Sequence, residues 1–158
     1  MREIALTQGY VTLVDDEDYE ELIKHKWLVD SGRYAARKAP HPLHEGKTYL
    51  SYMHREILGL QFGDSRKADH RDGNGLDNRR SNLRVATHSQ NMWNTKTPRH
   101  NTSGLKGVSW DRVNEKWIAQ IRVDKKPIWL GRHDSAEDAH RAYCAAALKY
   151  FGEFARVS

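Results

Sequence analysis

Cys144 is the only cysteine among the 158 residues of the chain. An internal disulfide is therefore impossible, and thiolate-based zinc ribbons of the kind that brace some small domains are excluded as well. A reducing compartment such as the cytoplasm fits this usage. Long apolar runs are also missing, and none approaches the roughly 18 residues that a membrane span requires. The N-terminus carries acidic and polar residues where a secretory leader would have an apolar stretch. A soluble, cytoplasmic protein without a membrane partner is the expectation. Negative charge is scarce in one long region, because residues 79–132 hold about a dozen Lys and Arg against about three acidic side chains. Asp15, Asp16, Glu17, Asp18, Glu20 and Glu21 crowd together near the N-terminus instead. The middle and C-terminal parts are thus the ones suited to a polyanion.

The net charge is +5, charged residues make up 30% and hydrophobic ones 38%. A chain of this length can bury one modest core or two small ones. The sequence reads as α+β. A hairpin is expected over residues 4–14, with Thr7-Gln8-Gly9 as its turn, followed by a helix over 15–24 whose acidic first turn suits the helix dipole. Short strands are expected at 27–29, 33–37 and 48–52, with Pro40 and Pro42 in a loop, then a helix over 54–60. His25, His41, His44 and His54 have no partners at metal-site spacing and read as surface or packing residues, so residues 1–52 read as a scaffold. Next come a strand at 67–70, a polar loop over 71–82, a strand at 83–87 and a helix at 88–94, whose start is marked by the Thr87/Gln90 capping box. Residues 98–104, with Pro98, Asn101, Ser103 and Gly104, have linker composition. Three strands (105–110, 116–123 and 126–131) and a helix running from Ser135 to a stop at Gly152 complete the chain.

Chemistry concentrates in Asp69-His70-Arg71-Asp72-Gly73-Asn74, Asp77-Asn78-Arg79, Ser81-Asn82-Leu83-Arg84 and Thr87-His88-Ser89-Gln90-Asn91. Phosphodiester hydrolysis needs an activated water, a cation to neutralise the phosphate and leaving oxygen, and a frame that aligns them. His70 can take a proton near neutral pH, while Asp69 and Asn91 offer hard oxygen ligands to Mg²⁺. Neighbouring strand residues point to opposite faces, so Asp69 and His70 must sit at a strand end, where the Asp72-Gly73-Asn74 turn makes a bend natural. A calcium loop does not fit, because Arg71 breaks its pattern and no Glu closes it.

Across residues 53–96 this string resembles the HNH endonuclease family, especially its phage and intron-encoded homing branch. The resemblance implies a ββα-metal core over 53–97, with His70 as general base and Asn82 as the middle Asn that braces the loop and orients the His. It also implies Asp69 and Asn91 as metal ligands, with Mg²⁺ or Mn²⁺ as cofactor and 3′-hydroxyl and 5′-phosphate products. His88 is the other candidate for the third letter of the motif.

In the last module, Trp117, Ala119, Ile121 and Val123 alternate with Lys116, Ile118, Gln120 and Arg122, giving one apolar face for the Ala-rich helix and one largely polar face. Lys106, Arg112, Lys126, Trp129 and Arg132 are expected to join Lys116, Gln120 and Arg122 on a basic, aromatic DNA-binding surface. Cys144, with no basic neighbour in view, reads as a small buried residue. Lys106-Gly107-Val108, Lys116-Trp117-Ile118-Ala119, Trp129-Leu130-Gly131 and Ala139-His140-Arg141-Ala142-Tyr143 resemble the AP2 domain over residues 104–157, within a module spanning 105–158. That resemblance implies a sheet laid in the major groove of double-stranded DNA, with Lys106, Arg122 and Trp129 at DNA-contacting positions. Gln120 replaces an acidic residue of the family, and Ser109 stands where plant members read a base with Arg. The combined expectation is a homing-type endonuclease, monomeric or weakly dimeric, that nicks DNA. The rival is a DNA-binding regulator whose HNH unit is inactive.

Overall fold

The computed structural model describes residues 1–97 and 100–157. Pro98 and Arg99, at the start of the expected linker, and Ser158, at the end of the second module, lie outside the described residues. The chain forms two compact units, residues 1–88 and 89 onward. Among the described residues the architecture is mixed, with four small antiparallel sheets and few helices. Among the described residues no helix is long and apolar enough to cross a membrane.

In the first unit, β1 (Arg2–Ala5) and β2 (Val11–Val14) pair as a hairpin. Gln8 and Gly9 reverse the chain at φ 63° and 76°. α1 (Asp16–Leu22) follows with Asp16, Glu17 and Asp18 in its first turn. β3 (Leu28–Val29), β4 (Ala35–Pro40) and β5 (Thr48–Tyr52) make a three-stranded sheet in that order. β4 runs through Pro40, where a loop was expected. Because β3 pairs only with Ala35 and Ala36, the far end of β4 has a partner on one side alone, and a residue without an N–H is tolerated there. α2 (Met53–Ile57) then leads to β6 (Lys67–His70) and β7 (Leu83–Ala86), which pair with Asp69 opposite Arg84 and His70 opposite Leu83. Leu83 shares one core with Ile4, Val14, Leu22, Trp27, Val29, Ala35, Met53 and Ile57. Complete burial of a side chain such as Val14 or Met53 stabilises by about 1.5–3 kcal/mol. The N-terminal elements therefore form the wall against which the β6–β7 hairpin is built. α3 (His88–Trp93) begins at the boundary between the units.

The second unit is a sheet of β8 (Val108–Asp111), β9 (Lys116–Val123) and β10 (Lys126–His133), with β9 central, covered on one face by α4 (Ala136–Phe151). The helix begins where the Ser135 side chain accepts a hydrogen bond from the Asp138 amide at 3.0 Å. It ends at Gly152, which has φ 53°. Ala139 and Ala147 are wholly buried beneath it. The small residues on α4 let the helix approach the sheet closely, as the alternation in β9 predicts.

Candidate functional site

His70 is the last residue of β6, and the chain bends immediately after it. The Gly73 amide donates to the His70 carbonyl at 2.9 Å, Gly73 adopts φ 71°, and the Asn74 amide donates to Asp72 Oδ1 at 2.7 Å. The turn after the strand is the one the Asp-Gly-Asn chemistry predicts. Asn82 ties the two ends of the 71–82 loop together: its Oδ1 accepts from the Asp72 amide at 3.1 Å. Its Nδ2 donates to Asp72 Oδ1 and to the Asp77 carbonyl, each at 2.9 Å.

Asp69 is 5% exposed, and its Oδ2 accepts from Nε and Nη2 of the buried Arg84, both at 2.7 Å. Charge-assisted contacts of this kind are among the stronger hydrogen bonds a carboxylate makes. His70 is 4% exposed. Its Nε2 lies 3.2 Å from Asn78 Oδ1, and the rings of His54 and Tyr34 stand 5.0 and 5.7 Å away. Burial pushes the His70 pKa below the usual imidazole range. The Asn78 hydrogen bond and the carboxylates of Asp72, Asp69 and Asp77 oppose that shift. The ring is therefore neutral at pH 7, the form that can accept a proton.

Two residues of the stretch read as scaffold, Tyr34 directly and Thr12 through Asn78, reach this histidine, along with His54 and with Asn78, which reads as ordinary turn chemistry. Asn78 is fully buried. Its Nδ2 donates to the equally buried Thr12 Oγ1 at 2.7 Å, and Thr12 Oγ1 donates to the Leu76 carbonyl at 2.8 Å. Backbone bonds between Leu13 and both Leu76 and Asn78 clamp the loop onto β2. His54, read as a surface or packing residue, packs against His70 with Tyr34. Burial, then the neighbouring His70 and Arg55, depress its pKa to about 3. Its Nδ1 has no hydrogen-bond partner among the described residues. No periodicity marks these residues, since their roles depend on contacts made up to 66 positions apart.

Asn91 lies half-buried on α3, and His88 is exposed at the start of that helix. Among the described residues, the only three carboxylates close enough to share a cation are Asp15, Glu17 and Asp18. Arg80 already meets that group, with its backbone amide on Asp15 and its guanidinium on Asp18 and Glu17.

In the second unit, residues opposite one another in the sheet share a face. Gln120 faces Trp129, Ile118 faces Ser109 and Arg132, Lys116 faces Asp111, and Arg122 faces Pro127. The surface away from α4 therefore carries Lys116, Gln120, Arg122, Trp129 and Arg132. Trp129 is 52% exposed, and the Arg132 guanidinium lies 5.2 Å from the centre of its ring. Arg132 also reaches Asp111, and Lys116 pairs with Asp134. Arg112 is exposed in the β8–β9 turn. Two expected members are placed differently. Lys126 pairs with Val123 at the β9–β10 turn, which puts it on the opposite face. Lys106 folds back, donating to the Trp93 and Thr95 carbonyls at 2.8 Å, and burial with nearby Arg156 lowers its pKa to about 8. Cys144 is half-buried and does have a basic neighbour: His140, one turn earlier, has Nε2 3.4 Å from Sγ. The i,i+4 spacing of a helix brings the two together.

The HNH endonuclease family model matches residues 51–93, and the AP2 domain model matches residues 103–153. These spans define the class, an HNH endonuclease domain followed by an AP2 domain. The chain is 40% identical to Protein 3.8 of Escherichia phage T7 over 88 residues, which is 56% of this chain and 72% of that one. It belongs to the same family as that phage protein. An uncharacterized HNH endonuclease of Acanthamoeba polyphaga mimivirus is 28% identical over 94% of this chain and 74% of its own. An ethylene-responsive transcription factor of Arabidopsis thaliana is 44% identical over 32% of this chain and 26% of its own length.

Proposed function

We propose that the protein hydrolyses phosphodiester bonds in double-stranded DNA in a metal-dependent reaction, with His70 as the general base. The observation that carries this reading is the buried His70 at the end of β6, directly after Asp69, inside the span matched by the HNH endonuclease family. By the family resemblance, Asp69 and Asn91 would hold the cation. One carboxylate and one amide oxygen form a hard, sparse donor set, which suits Mg²⁺ or Mn²⁺ completed by water and phosphate oxygens. When bound, the cation would neutralise charge on the phosphate and the leaving oxygen. His70 takes the proton of the attacking water, and Asn82 keeps the loop from drifting beneath it. Arg122, Gln120, Trp129 and Arg132 bind the duplex, with Lys116 and Arg112 at the edge of that surface. One site cuts one strand, so a monomer nicks. Homing or phage competition is the role this activity suits.

The Asp69–Arg84 ion pair favours a second reading, in which the HNH unit is inactive and the protein regulates by binding DNA, because Arg84 already neutralises the carboxylate. Plasmid relaxation by excess protein in low salt with Mn²⁺ or Mg²⁺ separates the two. Nicking by the wild type that is lost in His70→Ala and in EDTA supports the nuclease. DNA binding without nicks under either metal supports the regulator.

A further inference from the structure

α3 has six residues, far fewer than the roughly 12–15 at which an isolated helix becomes even marginally stable in water. It must be held by something outside itself. At its carbonyl end, the Thr95 amide and hydroxyl donate to the Met92 carbonyl at 3.3 and 2.8 Å, and Lys106 Nζ donates to the carbonyls of Trp93 and Thr95, both at 2.8 Å. An ammonium placed there meets the negative end of the helix dipole and serves acceptors for which the helix has no further amides. The flank of the helix is held as well. The Trp93 and Phe151 rings stack with centroids 4.4 Å apart and planes within 12° of each other, and Trp93 packs against the core of Ile121, Tyr143, Ala146 and Ala147.

α3 lies in the span that the HNH model matches, whereas Phe151 and Lys106 lie in the span that the AP2 model matches. The compact unit that contains the AP2 sheet begins at Ser89 and so includes nearly all of α3. The backbone that aims Lys106 is seated on the same unit: Gly107, at φ 75°, lies against the Tyr143 ring, and the Lys106 carbonyl is 3.1 Å from His140 Nδ1. The AP2 resemblance implies a DNA contact at Lys106. Two of its three N–H donors are instead spent on carbonyls. Moving the ammonium to a phosphate would exchange two charge-assisted bonds made inside the protein for a contact that salt screens.

We infer that Lys106 is a positioning residue for α3: it faces into the protein rather than toward DNA and, with the Trp93–Phe151 stack, makes the helix that carries Asn91 part of the AP2 unit. The anchor stands on contacts within that unit alone, and its use, to place Asn91 for the cation, rests on the nuclease reading. Loosening Lys106 should then weaken cation binding without weakening DNA binding.

The first readout needs no variant. In the labelled wild type bound to a DNA duplex in EDTA, proton cross-relaxation between the Lys106 side chain and Trp93 and Thr95 should persist, and its loss on adding the duplex overturns the inference. Lys106→Met keeps the stem and removes the donors. Solvent exchange of the Asn94 and Thr95 amides should quicken about tenfold in it, as loss of charge-assisted bonds allows, while the β9 amides exchange as before. Its DNA affinity in EDTA and the dependence on salt should match the wild type, whereas removal of a lysine bound to phosphate would lower the salt slope by about one. Lys106→Arg, which can still donate to the carbonyls, should restore slow exchange. Unchanged exchange in a folded Lys106→Met, or a lowered salt slope, overturns the role given to Lys106. At saturating DNA the Mn²⁺ concentration for half-maximal nicking by Lys106→Met should rise about tenfold or more. An unchanged midpoint beside quickened exchange upholds the anchor and rejects Asn91 as a cation ligand, and a wild type that keeps these contacts but never nicks upholds the anchor and rejects the nuclease reading.

Discussion

His54 enters the first unit as a neutral ring, 8% exposed, with its Nδ1 unpaired among the described residues and a second imidazole beside it. Its pKa falls from the ordinary 6.5 to about 3. Above the ordinary value the ring is neutral folded or unfolded, and no penalty exists. Below it the unfolded chain takes up a proton that the folded chain refuses, so stability falls as the pH drops from 6.5 toward 3. At pH 5 the loss from this residue is on the order of 2 kcal/mol. His54→Phe should therefore narrow the gap between urea midpoints at pH 7 and pH 5, and equal gaps in the two proteins would reject this account. Asp69 and His70 stood out in the sequence because their chemistry is local: a carboxylate, an imidazole and a turn in six consecutive positions, Asp69 to Asn74. Asn78, Thr12 and His54 did not. An Asn in a polar loop looks the same whether its amide meets water or, as here, an imidazole and a threonine hydroxyl brought from β2.

At the scale of elements, periodicity carried most of the fold. The alternation of β9 and the Ser135–Asp138 spacing both correspond to what forms, a half-covered strand and a capped helix. The expected strand at 105–110 instead begins at Val108, because Gly104 and Gly107 take φ 70° and 75° and cannot lie in an extended ladder. The alternation does not reveal that backbone choice, which follows from α4: a Cβ on Gly107 would stand 2.0 Å from the Tyr143 ring. Two variants probe this packing at different strengths. Ser135→Ala removes the acceptor for the Asp138 amide and should cost about 1 kcal/mol. Gly107→Ala adds both the ring collision and an unfavourable positive φ, and should lower the thermal midpoint of the second unit more than Ser135→Ala does. A smaller effect for Gly107→Ala would mean that the Tyr143 ring moves aside freely. Pro40 fits the same pattern, since a proline was a reason to expect a loop, and the brevity of β3 is what permits a strand.

For the whole molecule, the uneven charge along the chain suits the proposed division of labour. Much of the acidic run near the N-terminus is matched internally, with Arg80 on Asp15, Glu17 and Asp18, whereas Arg122 and Gln120 stand exposed on the AP2 sheet. Binding and hydrolysis should therefore separate by mutation. Arg122→Ala removes an exposed cation that, on the proposed reading, meets either a base edge or a phosphate. Loss of a base contact costs about 1–3 kcal/mol and relaxes sequence preference, while loss of a phosphate contact lowers the salt slope by about one. In either case the DNA concentration for half-maximal nicking should rise about tenfold or more, and the nicking rate at saturating DNA should stay where it was. His70→Ala should do the reverse, leaving affinity and its salt dependence intact while nicking disappears. Titrating DNA against both variants at two salt concentrations measures all four quantities. If Arg122→Ala lowered the saturated rate as well, the sheet would be helping to place the scissile phosphate, and the two domains would have to be treated as one catalytic surface.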